Sequence, residues 1–190
     1  YRISDIVLGV IANVFYQDIG FTKPEIARAV NTFGVLVSIV GGFLGGLLAT
    51  RFGVMRILML GAILSAATNL AFVGLAYVGH NVPLMYGTVF ADNLAAGLAS
   101  AAFVAFLSSL TNVQFTAVQY AIFSSLMTLL PKTLGGYSGS IVDGIGYPGF
   151  FIFTTLIGIP VLILVWLAGR RLAIRDRKST RLNSSHYRTS

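Results

Sequence analysis

From Ile57 to Pro131 the only side chain with a formal charge is Asp92. A helix in water needs a polar face, and a stretch this long without charges cannot supply one for each of its helices. Soluble domains carry about 25% charged residues; this chain of 190 residues carries 10%, with 56% hydrophobic residues. Its mean hydropathy is +0.83. The bilayer is the solvent that such a chain fits.

A spanning helix needs about 20 predominantly apolar residues. Six such segments are expected, at residues 3–19, 25–50, 55–78, 84–110, 117–142 and 149–168, separated by short Gly, Pro or polar punctuation. The first is short and Tyr1 is not an initiator methionine, so it is expected to be the end of a longer helix. Thr22-Lys23-Pro24-Glu25 reads as a helix start, with a capping residue, a first-turn proline and a capping-box acid. Basic residues set the orientation. Arg51, Arg56, Arg170, Arg171 and Arg175 fall on one side, against Lys23 and Arg28 on the other. The positive-inside rule places the Arg51–Arg56 loop and both ends of the six-span unit in the cytoplasm.

Residues 1–175 are read as this transmembrane unit. Residues 176–190 begin Asp-Arg-Lys-Ser-Thr-Arg-Leu-Asn-Ser-Ser-His, which matches the in-frame translation of a common sequencing-library adapter. They are expected to be an artefactual, disordered tail.

Gly41, Gly42, Gly45 and Gly46 form two interleaved GxxxG pairs in the second segment, and Gly135 and Gly139 a third pair. Small residues at that spacing let helix backbones approach closely.

An ionisable side chain inside a bilayer is costly and survives when paired or hydrated. Arg2 and Asp5 share a helical face, either as a mutually neutralising pair or as a carboxylate facing a water-filled cavity with a counter-charge beside it. Asp92, beside Asn93, has no charged neighbour in its own helix. It either lines a cavity or makes a structural hydrogen bond to another helix. Lys132, after Pro131, can snorkel, pair with Asp5 or Asp92, or attract an anionic substrate. Asn69 is read as an interhelical hydrogen-bonder bordering the cavity, and Asp143 as solvated. The two histidines fall in a loop and in the tail, cysteine is absent, and no nucleophile–base pair, metal cluster or phosphate-cradling loop emerges. An enzyme, a cofactor and a nucleic-acid partner are not expected.

Gly46-Leu-Leu-Ala-Thr-Arg51-Phe-Gly53-Val-Met-Arg56 resembles the Gly-x-x-x-Asp-Arg-x-Gly-x-x-Arg loop motif of the major facilitator superfamily. Thr50 stands where that motif has its acid. Three further stretches, Tyr1-Arg-Ile-Ser-Asp5, Gly20-Phe-Thr-Lys-Pro-Glu-Ile26 and Asp92-Asn-Leu-Ala-Ala-Gly-Leu-Ala-Ser-Ala-Ala-Phe-Val-Ala105, are similar to the C-terminal half of AmpG-type muropeptide permeases. The resemblance runs from Tyr1 to about Ala173. It implies an all-α membrane protein: one half-bundle, helices seven to twelve, built as two inverted three-helix repeats. It also implies proton-driven symport of anhydromuropeptides (GlcNAc-anhydroMurNAc peptides) across the bacterial inner membrane for peptidoglycan recycling, in concert with a missing N-terminal six-helix half. Asp5 matches the family's acid in the seventh helix, and Asp92 falls where relatives often have Glu. Lys132 stands near a family basic position. In this superfamily the first and fourth helices of each half line the cavity, and here each carries an intramembrane Asp. The alternatives are a permease for another bulky anionic solute, resembling acetyl-CoA carriers, and a membrane structural protein that transports nothing.

Overall fold

The computed structural model describes the backbone of residues 3–110 and 116–186. The side chains of residues 3–5 and 171–186, and several between residues 110 and 134, lie outside the described residues. The expectations resting on Arg2 and on the Asp5 carboxylate therefore also lie outside them.

Helix α1 is Ile3–Asp18, α2 is Lys23–Phe52, α3 is Val54–Val78 and α4 is Val82–Leu110. Helices α5, Thr116–Gly136, and α6, Ser138–His186, complete the fold. Among the described residues there is no strand, and four helices (α2, α3, α4 and α6) are long and apolar enough to cross a membrane. The chain is a multi-pass, all-α membrane protein.

The helix ends follow local chemistry. At the start of α2, Glu25 reaches back and accepts from the Thr22 backbone N–H at 2.8 Å and from the Thr22 hydroxyl at 2.7 Å. Gly53 alone separates α2 from α3. Its φ of +91° is closed to most side chains, and its N–H still caps Ala49 at 3.0 Å. The fifth segment departs from the expected 117–142: α5 stops at Gly136, and a new helix opens at Ser138. Gly135, Gly136 and Gly139 crowd this point, and each glycine weakens a helix by about 1 kcal/mol relative to alanine. The turn expected over residues 143–148 narrows to one bend at Gly146 (φ 71°, ψ 169°) inside α6. The backbone of α6 stays helical to His186, through residues where the sequence reads as a disordered tail. Extending a formed helix costs little when Arg, Lys and Leu recur.

The most extensive pairings are α2 on α4, α3 on α4, α3 on α6, α1 on α6 and α1 on α5. Exchanging α1, α2 and α3 for α4, α5 and α6 leaves that set unchanged. This is the pairing that two three-helix repeats produce.

Two apolar clusters lie at opposite ends of the bundle. One is aromatic, with Phe15, Tyr16, Phe72, Phe150 and Phe151 all buried; Phe15 meets Phe151 edge-on at 4.8 Å between centroids. The other is aliphatic, around Ala49, Leu58, Leu98, Ala102 and Val165. Between them α3 buries the row Ser65, Thr68 and Asn69. That polar row is what positions the candidate site.

Candidate functional site

Asp92 lies near the middle of α4, half-buried. Thr68, across the helix interface on α3, places its hydroxyl 3.3 Å from Asp92 Oδ1 and 2.9 Å from the Ser65 carbonyl. One hydroxyl carries one proton and can also accept. Thr68 can therefore donate to a charged Asp92, or donate to Ser65 while accepting from a protonated one. The carboxylate thus sits at the packed interface of α3 and α4. The charges of α2 stay at its ends, in Lys23, Glu25, Arg28 and Arg51.

Asn93 faces elsewhere, because successive residues of a helix are rotated by about 100°. Its Nδ2 donates to the Val89 carbonyl at 2.9 Å, which leaves its carbonyl oxygen and a second N–H for other partners. It lines an open groove of about 780 Å³ between α2 and α4, with Ser38, Gly42, Ala96, Gly97 and Ser100 among its walls. The beginning of α2 is wound as a π-helix over Ala27–Gly34. A Cβ added at Gly34 would stand 3.0 Å from Asn93 Nδ2, so the π segment ends against that amide. Such segments occur frequently at functional sites.

The groove exists because α2 and α4 touch through their backbones. A Cβ at Gly41 would lie 2.5 Å from the Leu94 carbonyl oxygen, and one at Gly45 would lie 2.7 Å from that of Leu98. From the other side, a Cβ at Gly97 would collide with the Ser38 carbonyl oxygen. Gly42 sits at ordinary contact distance, 3.9 Å from the Gly97 oxygen, and Gly46 faces open space.

The remaining sequence candidates are dispersed. Lys132 is exposed on α5, which packs on α1 and α6, so the pairing of Lys132 with Asp92 weighed from the sequence is not made. Asn69 is 1% exposed, and among the described residues its Nδ2 has no hydrogen-bond partner. In the loop motif, Arg51 and Arg56 are exposed, Arg51 lies over the Phe52 ring at 5.6 Å, and Gly53 makes the positive-φ break. Thr68 and Ser65 were not singled out in the sequence. Their spacing from Asn69 gave a signal, a polar i, i+3, i+4 row in an otherwise apolar helix.

A family model described as Major Facilitator Superfamily matches residues 2–188. The chain is 32% identical over 165 residues to a Rickettsia conorii protein named "Putative transporter AmpG 4", covering 87% of this chain and 40% of that protein. A Rickettsia bellii protein named "Putative transporter AmpG 1" is 34% identical over 165 residues, with 87% and 40% covered. An uncharacterized protein of Haemophilus influenzae is 34% identical over 176 residues, with 88% and 41% covered. The chain spans about two fifths of the length of these relatives.

Proposed function

The chain belongs to the major facilitator superfamily, and on that footing we propose that it forms one six-helix half of a proton-coupled permease importing anhydromuropeptides. Residues 1–175 supply the half-bundle, and a second half completes the translocation path. The proposed setting is the bacterial inner membrane, with both ends of the half in the cytoplasm.

The observation that carries this reading is the split between Asp92 and Asn93. Consecutive residues of α4 present a carboxyl to a buried hydroxyl and an amide to an open groove. A proton taken up by Asp92 removes a charge from the bundle interior one residue away from the groove wall. That proximity is what coupling requires: the proton changes the energy of a helix that the substrate also touches. The groove offers Asn93, Ser38 and Ser100 as neutral hydrogen-bonding groups, which fit sugar hydroxyls and peptide amides. Small residues between them leave room for a bulky solute. Asp5, in the helix that exchanges with α4 in the pairing pattern, is proposed as the second coupling carboxylate, with Arg2 as its counter-charge. Relatives named as AmpG transporters favour the muropeptide over other anionic solutes.

The test is uptake of labelled anhydromuropeptide by the complete transporter, in cells lacking their own permease, with and without a protonophore. Accumulation that the protonophore abolishes supports the proposal. A folded, inserted protein that accumulates none removes this substrate.

A further inference from the structure

We infer that the outer face of α3 and α6 holds a binding site for an anionic phospholipid, with an acyl chain in the groove and the phosphate against Arg170 and Arg56. A groove of about 350 Å³ runs between the two helices, lined by Met59, Ile63, Leu162, Ile163 and Trp166. Its lining is wholly apolar, as an acyl chain requires.

Charge at one end makes the face more than a generic lipid contact. On α3, Arg56, Met59 and Ile63 stand at i, i+3 and i+7, a single helical row. On α6, Ile163, Trp166 and Arg170 also stand at i, i+3 and i+7, with the arginine last instead of first. Gly169 of α6 lies beside Met55 of α3, 3.5 Å from the methionine methyl to a Cβ built on the glycine, so the two arginine-bearing ends coincide. Both apolar rows therefore end in an exposed arginine at the same end of the groove. The Arg170 guanidinium rests over the Trp166 ring at 4.1 Å, which holds the charge at the groove mouth rather than letting it swing into water. Tryptophan favours the headgroup level of a bilayer. Basic pockets between helices at that level recruit anionic headgroups. The phosphate is the complement of the two guanidinium groups, and the apolar lining is the complement of the chain attached to it. The face lies on the side of α3 away from the Asp92 site, so the inference stands apart from the transport reading.

Trp166 is the only tryptophan in the chain, and it is a built-in probe. The chain is reconstituted in vesicles of phosphatidylcholine and phosphatidylglycerol in which only one species carries brominated acyl chains, at equal mole fraction. Bromine quenches tryptophan on contact. Brominated phosphatidylglycerol is expected to quench with an apparent affinity about threefold or more above that of brominated phosphatidylcholine. In the double variant Arg56→Gln/Arg170→Gln the two lipids should quench equally; circular dichroism checks that it is folded, and Arg170→Gln alone is read if it is not. Equal quenching in the unsubstituted chain overturns the inference. So does a preference that survives loss of the arginines, or a Trp166 that neither lipid reaches because a second copy covers it.

Discussion

The Thr68 hydroxyl on α3 lies 3.3 Å from the Asp92 carboxylate on α4, and 2.9 Å from a carbonyl of its own helix. This link ties the only formally charged residue of α4 to the buried polar row of its neighbour. Hydrogen bonds between membrane helices average about 0.6 kcal/mol in double-mutant cycles. A cycle over Thr68→Val and Asp92→Ala, each of which removes the bond, read by reversible unfolding in mixed micelles, should return a coupling of that order. Thr68→Ser should keep it. A coupling indistinguishable from zero would show that the two side chains act separately.

Asp92→Asn keeps shape and hydrogen-bonding capacity while removing the titrating proton. In the complete transporter it should lower proton-driven uptake by about tenfold or more, the effect of losing ~1.4 kcal/mol from the rate-limiting step. Asp5→Asn should do the same, and neither should reduce the amount of protein in the membrane. Normal uptake in both variants would remove the carboxylates from the coupling scheme.

Glycines of the packed pair α2 and α4 should differ sharply in their tolerance of alanine. Gly97→Ala forces a methyl into the Ser38 carbonyl, and overpacking of this kind costs typically about 1–3 kcal/mol. Gly46→Ala meets open space and should be neutral or slightly stabilising. Thermal unfolding of the two variants, side by side in one detergent, checks the contrast. Equal losses would mean that the close approach of α2 and α4 does not limit stability.

Tyr147, just past the bend at Gly146, donates its hydroxyl to the Asp18 carboxylate at the end of α1. Both groups are near the surface, so Tyr147→Phe should cost about 1 kcal/mol. Hydrogen exchange should quicken around Gly146 while the buried aromatic cluster stays protected. Unchanged exchange there would assign the bend's stability to the backbone alone.

The order of the helices and most of their ends were legible in the sequence, because loss of polarity and Gly/Pro punctuation both act locally. Gly53 and Thr22 announce their turns from their own chemistry. The break at Tyr137 was not legible, since glycines there read equally as a packing motif. Nor was the inward face of each helix. In water, burial and hydropathy rise together, but in lipid the outside is as apolar as the core. Phe43 is 78% exposed and Phe15 is fully buried, with nothing in their neighbours to separate them. The same limit applied to the site. Asp92 stood out as an isolated charge, whereas its partner Thr68, 24 residues away, became visible only through the packing of α3 on α4.

The exchange of the two helix triplets preserves the most extensive pairings, but not how those helices touch. On α2 and α4 the contact runs from backbone to backbone at Gly41, Gly45 and Gly97. In the counterpart, α1 on α5, Gly135 meets the side chain of Val10. A side chain can rotate aside; a peptide carbonyl cannot. Among the described residues the two counterpart contacts therefore differ in kind, backbone against backbone between α2 and α4 and backbone against side chain between α1 and α5. A side chain that outgrows the first contact must move a whole helix, and Asp92 rides on one of the two.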